Sequence, residues 1–240
     1  MKLSSSLLLI VMFSLLTPAY SAAPQSAKKA KVHRPFNGQD LKGWTFKNPK
    51  SRSKWKVGVA EISSENPRAL RVAKAGKKSR GELVNAQGRG VDIYSLKKYG
   101  DCTIDLEFMV PKGSNSGIYV MGEYEIQILD SYGKKKIGPG DVGALYGASV
   151  PKVNAAKRPG VWQTFHIEFR APRFKDGKKV ANARFVKVVL NGKVLHQNVD
   201  MKGPTPSGVT GKEAATGPIM FQGDHGPVAY RKIRITVPKK

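Results

Sequence analysis

Two glutamates and a glutamine alternate in the segment around GEYEIQILD: Glu123, Glu125 and Gln127. In an extended strand every second side chain points the same way, so these three would form a row, neighbours about 6 to 7 Å apart, opposite an apolar row of Tyr124, Ile126 and Ile128. Carboxylates held on a rigid strand can take and give protons. Glycosidases place such pairs about 5 to 5.5 Å apart for retention and about 6.5 to 9.5 Å for inversion, and the strand spacing falls between. The same pattern also suits the solvent-facing side of an ordinary antiparallel strand. His225 is a second candidate, set in the turn Gly223-Asp224-His225-Gly226-Pro227. A histidine there can take up and transfer protons, or it can pair with Asp224 to hold its own turn. Trp162, His166 and Glu168 share the polar parity of another strand and would suit a sugar-binding face. Tyr146 and Asp141 sit in a Gly/Pro-rich connection, 133–160, long enough to wall a site.

Other chemistries lack a signature. The four histidines, His33, His166, His196 and His225, show no paired spacing, and no Asp/Asn-rich calcium loop is present, so no metal site is expected. Neither a Gly-x-Ser-x-Gly elbow nor a phosphate-binding glycine loop occurs. No cofactor is expected.

The elements that would position these residues are strands. Apolar residues never recur at three and four with caps at both ends, so helices are not predicted. Strands are predicted at 55–59, 69–72, 82–84, 103–110, 161–170, 184–190, 193–197, 219–222 and 230–237, with one long strand over 115–132 as the centre. Asn191-Gly192 marks a tight hairpin. Segment 36–44 reads as a turn with an aromatic closing over the sheets, and 172–183 as a basic insertion. Many short strands without crossover helices imply two packed antiparallel sheets, an all-β jelly-roll sandwich.

The N-terminus carries Lys2, the apolar run Leu7 to Leu16, Pro18 and small residues to Ala22. This reads as a signal peptide over 1–21, implying a secreted or periplasmic protein without a transmembrane span. Residues 22–34 read as a flexible basic leader and 35–240 as a single domain. One cysteine, Cys102, permits no internal disulfide and has the parity of a small buried hydrophobe. The net charge of +25 points to an acidic polysaccharide or an anionic envelope surface. The basic residues gather in loops without interleaved aromatics, which disfavours nucleic acid.

Several stretches, in series, resemble the 3-keto-disaccharide hydrolase domain family. They are Phe36-Asn37-Gly38 with Leu41 to Trp44, Asn115 to Tyr119, Tyr124 to Asp130, Trp162 to Arg173, Gly217 to Ile219, and Phe221-Gln222 with His225 and Pro227 to Ile233. The resemblance implies a concanavalin A-like lectin/glucanase sandwich and a sugar substrate. It implies a base at Glu125, Gln127 and Arg231 as orienting or stabilising groups, His225 or Tyr146 as acid, and Glu123, Asp130, Trp162 and Gln222 as further sugar contacts. The family often has arginines where this chain has Met121 and Met220, so if those arginines hold sugar hydroxyls, specificity or activity differs here. A non-catalytic carbohydrate-binding module or a polyanion-adhesive envelope protein on the same fold is the alternative expectation.

Overall fold

Alternation decides which way each strand faces, and two sheets close on the apolar faces. The computed structural model describes residues 30–76 and 80–239. In the larger, nine-stranded sheet, Lys193–Met201 (β14), Ala183–Leu190 (β13), Gln163–Arg170 (β10), Cys102–Met109 (β7), Val228–Val237 (β16), Glu82–Asn85 (β5), Trp55–Ile62 (β3) and Leu70–Ala73 (β4) lie side by side in that order, and Lys31–His33 (β1) pairs with β16. The smaller sheet runs Trp44–Phe46 (β2), Ile93–Tyr99 (β6), Gly217–Phe221 (β15), Asn115–Val120 (β8) and Tyr124–Leu129 (β9). A separate hairpin joins Arg173–Lys175 (β11) to Lys178–Ala181 (β12). All pairings are antiparallel, and no helix occurs among the described residues. The fold is the expected all-β jelly-roll sandwich.

Ile104, Leu106 and Phe108 on β7 and Phe165, Ile167 and Phe169 on β10 face Ile118, Tyr124, Ile126 and Ile128 of the smaller sheet, all almost completely buried. Each contributes about 1.5–3 kcal/mol by leaving water. Rings bridge the layers: Phe221 stacks on Tyr230 with centroids 4.0 Å apart, and Tyr124 meets Phe169 at 5.5 Å. Trp44 closes over this core against Phe221, as segment 36–44 predicts. Cys102 is a free, buried thiol, and burial pushes its pKa up to about 12.

The central strand is not one strand. β8 and β9 form a hairpin whose turn puts Met121 and Gly122 in the left-handed region, at φ 55° and 72°, and closes with Glu123 N donating to Val120 O at 3.2 Å. Val120 pairs with Tyr124, so the reversal consumes an odd number of residues and leaves the parity of both arms intact. The period-two pattern therefore runs through the turn and conceals it. The Asn191-Gly192 hairpin forms as predicted, both residues left-handed. Residues 31–33 of the supposed flexible leader are a strand, and the basic insertion holds the β11/β12 hairpin around Asp176-Gly177. The expected signal peptide, residues 1–21, and residues 22–29 lie outside the described residues.

A candidate active site on the outer face of the smaller sheet

With Tyr124, Ile126 and Ile128 turned inward, Glu125 and Gln127 must face outward. On β8 the residues opposite them are Tyr119 and Gly117, and on β15 Met220 lies beside Tyr119 and, on its other flank, Tyr94 of β6. Gln222, of the same parity as Met220, donates its backbone N–H to Gly117 O at 2.9 Å. A β-carbon at Gly117 would occupy the place of the Glu125 carboxylate, so the glycine is what lets Glu125 lie flat on the sheet.

This outer face is nonetheless dry: Glu125 is 4% exposed, Gln127 5%, Gln222 6% and Tyr119 1%. Two loops cover it. From residues 203–216, Thr205 accepts the Glu125 N–H on its hydroxyl at 3.1 Å, Pro206 O accepts the Tyr119 hydroxyl at 3.2 Å, and Ser207 O accepts Lys47 Nζ at 2.6 Å. From residues 133–160, Gly143 to Tyr146 lies along the free edge of β9: Gly143 N donates to Gln127 O, Gln127 N to Ala144 O and Tyr146 N to Glu125 O. Buried His196, on β14, holds this segment from behind through Nε2 and Gly143 O at 2.8 Å.

Burial is the main influence on Glu125 and raises its pKa to about 7; the Tyr119 hydroxyl and the charge of His225 oppose the rise, while Asp92 and Asp224 add to it. Glu125 is thus poised to hold or release a proton at neutral pH. Asp92 is also held above the usual carboxylate range, first by burial. Its Oδ1 accepts Gly223 N at 2.9 Å, anchoring the turn in which His225 Nδ1 meets Asp224 Oδ1 at 2.5 Å. Gln127 Nε2 donates to Asn115 Oδ1 at 2.6 Å, which fixes its amide. Burial likewise raises the Tyr119 pKa, with the Glu125 charge as the next cause, so the phenol remains a proton donor.

The other candidates part company. Glu123 is on the β8/β9 turn, and its carboxylate accepts Thr210 N and Oγ1, both at 2.8 Å, and Gly211 N at 3.0 Å; it clamps the covering loop and does not extend the acidic row. Asp130 takes Gly113 N at 2.8 Å, a turn-closing contact. Tyr146 is 41% exposed, beside Glu125 through its backbone. Trp162, His166, Glu168 and Arg231 belong to the outer face of the larger sheet, on the far side of the sandwich. There the Arg231 guanidinium lies 4.0 Å over the Trp162 ring and pairs with Glu107 at 2.6 Å and Glu82 at 3.2 Å. The expected joint cleft of both strands is therefore two separate faces, and Arg231 cannot stabilise a charge beside Glu125. Sequence reasoning passed over Tyr119, Asn115, Asp92 and Asp224 as site residues; the parity of β8 points to the first two once the hairpin is recognised. Among the described residues no group of three or more His, Cys, Asp and Glu side chains could hold a metal ion.

A candidate glycosyl hydrolase from Parabacteroides distasonis ATCC 8503 is 27% identical, with a TM-score of 0.60 over 86% of this chain and 82% of that one. A second such protein from the same organism is 19% identical, with a TM-score of 0.56 over 87% of this chain and 94% of that one, a likeness of fold. A search of curated proteins finds no match. The model of the 3-keto-alpha-glucoside-1,2-lyase-like domain matches residues 32–236, and the chain belongs to that family.

Proposed function

We propose that the chain is an exported carbohydrate-active enzyme that breaks glycosidic bonds of 3-keto-disaccharides or related sugars by proton abstraction at C2. The observation that carries this reading is Glu125, buried on a rigid strand with a pKa near 7. A ketone at C3 acidifies the C2 hydrogen. The Glu125 carboxylate takes that proton, the C2–H electrons pass into an enolate, and the Tyr119 hydroxyl, turned from Pro206 O, donates its hydrogen bond to the enolate oxygen. The enolate then re-forms the ketone, a C1–C2 double bond appears and the C1–oxygen bond breaks. His225, oriented by Asp224, protonates the departing oxygen. Addition of water across the double bond completes a net hydrolysis. Gln127 and Gln222 are suited to hold sugar hydroxyls.

Glu125→Gln keeps shape and removes the base. It should sharply slow release of reducing sugar from a 3-keto-disaccharide while the folded chain still binds it; undiminished turnover by this variant ends the base assignment. A second reading, a carbohydrate-binding module without turnover, is favoured by fully buried Met220, which puts an apolar side chain in the middle of the polar row. The wild-type chain would then bind the same sugar and leave it intact.

A further inference from the structure

The larger sheet carries a groove of its own on its outer face, a cavity of about 870 Å³ where β1 and β5 come to the same flank of β16. β16 bulges here, with Lys232 in the left-handed region, and the bulge crowds three cations into the wall: Arg231, Lys232 and, beyond buried Ile233, Arg234. The first two are tied to Glu107 and the third to Asp105 at 2.9 Å. Arg34 and Arg80 stand on the rim, exposed, and their side chains have no ion pair or hydrogen bond among the described residues. The wall is thus neutralised from within and the rim is not. Arg80 also closes the basic run from Lys74.

We infer that this groove binds an acidic polysaccharide through its uronate carboxylates. Two free guanidiniums can each grip a carboxylate in fork geometry. Glu82, Asp105 and Glu107, with Thr164, offer acceptors for the hydroxyls that a uronate chain carries between its charges. A DNA phosphate backbone has no hydroxyl to donate and so gains nothing from those carboxylates. The one indole nearby, Trp162, already has the Arg231 guanidinium over its face and leaves no platform for stacking bases. The cavity volume lies within the usual range for ligand sites. The groove is on the side of the sandwich away from Glu125, so an extended anionic polymer can be held there without entering the catalytic face. The inference therefore stands or falls apart from the proposed reaction.

The test is affinity electrophoresis and calorimetry of the full chain with polygalacturonate, dextran and single-stranded poly(dT). Polygalacturonate should be retained and dextran should not. Arg34→Ala/Arg80→Ala should weaken polygalacturonate binding about tenfold, on the scale of charge-assisted hydrogen bonds lost. Lys135→Ala/Lys136→Ala, an equal loss of charge in an exposed loop, should leave it unchanged, as should Glu125→Gln. Equal weakening by both double variants would show that attraction is spread over the surface and would overturn the groove. Tighter binding of poly(dT) than of polygalacturonate would overturn the ligand class, and retention of dextran would overturn the role of charge.

Discussion

The two outer faces of the sandwich carry the same kinds of residue at the same alternating spacing and treat them in opposite ways. On the larger sheet, desolvation is the largest single influence on Asp105 and Glu107, but their partners together outweigh it: His166 and Arg234 hold Asp105 below the usual carboxylate range, and Lys232 and Arg231 do so for Glu107. On the smaller sheet, Glu125 lies under two loops with only the charge of His225 to favour its ionised form, and desolvation dominates. A carboxylate's chemistry follows from what covers its face and not from strand spacing. Paired acids stabilise a surface, whereas a dry, weakly partnered acid can move protons.

The comparison breaks most visibly in turnover. Glu125→Gln should lower kcat on a 3-keto-disaccharide by about 10²–10⁴-fold, whereas Glu107→Gln should leave kcat near wild type; initial rates of reducing-sugar release decide it. Next comes stability. Glu125 has a folded pKa of about 7 against 4.5 for the free side chain, so the folded state holds a proton that the unfolded chain has released. Ionising it in place costs about 3 kcal/mol, fully felt above pH 7 and absent below about pH 4.5. Thermal unfolding should show Glu125→Gln gaining stability over wild type between pH 4.5 and pH 8. A difference that stays constant with pH would remove the desolvated acid.

Arg231→Met strips Glu107 and Glu82 of a partner and Trp162 of its covering cation. Chemical denaturation should register a loss of about 2 kcal/mol, with the pKa of Glu125 unmoved because it is on the other face. The smallest effect belongs to His166. Burial opposes its protonation, but the hydrogen bonds to Asp105 and Glu168 raise its pKa overall. Its contribution is present below about pH 6.5 and fades as pH rises through the higher folded value. His166→Gln should therefore lower Tm at pH 5 and hardly at all at pH 9.

The fold was legible wherever alternation was clean. β7, β10 and the Asn191-Gly192 hairpin fall where the residues put them. β6 escaped because Leu96, apolar at a position facing water, and two lysines blur its period. The β11/β12 hairpin has its Asp-Gly turn in plain view, but its strands are exposed and carry no apolar row. At the site, Glu125 and Gln127 were visible because each has buried isoleucine neighbours. Asp92 and Tyr119 were not, since register with other strands brings them close, and register is a long-range property that a local pattern does not encode. Trp162 and Arg231 show the same failure in reverse: right polarity, opposite sheet.

One last consequence lies in the strip of chain from Gly143 to Tyr146. β9 is the outermost strand of its sheet, and a bare outermost strand is a template onto which foreign chains can add. The strip answers those backbone groups with its own. Shortening it would do more than uncover Glu125 and Gln127: it would open an apolar-backed ribbon to its own kind. Clumping of the protein, ahead of any change in chemistry, is the penalty that such a deletion would carry.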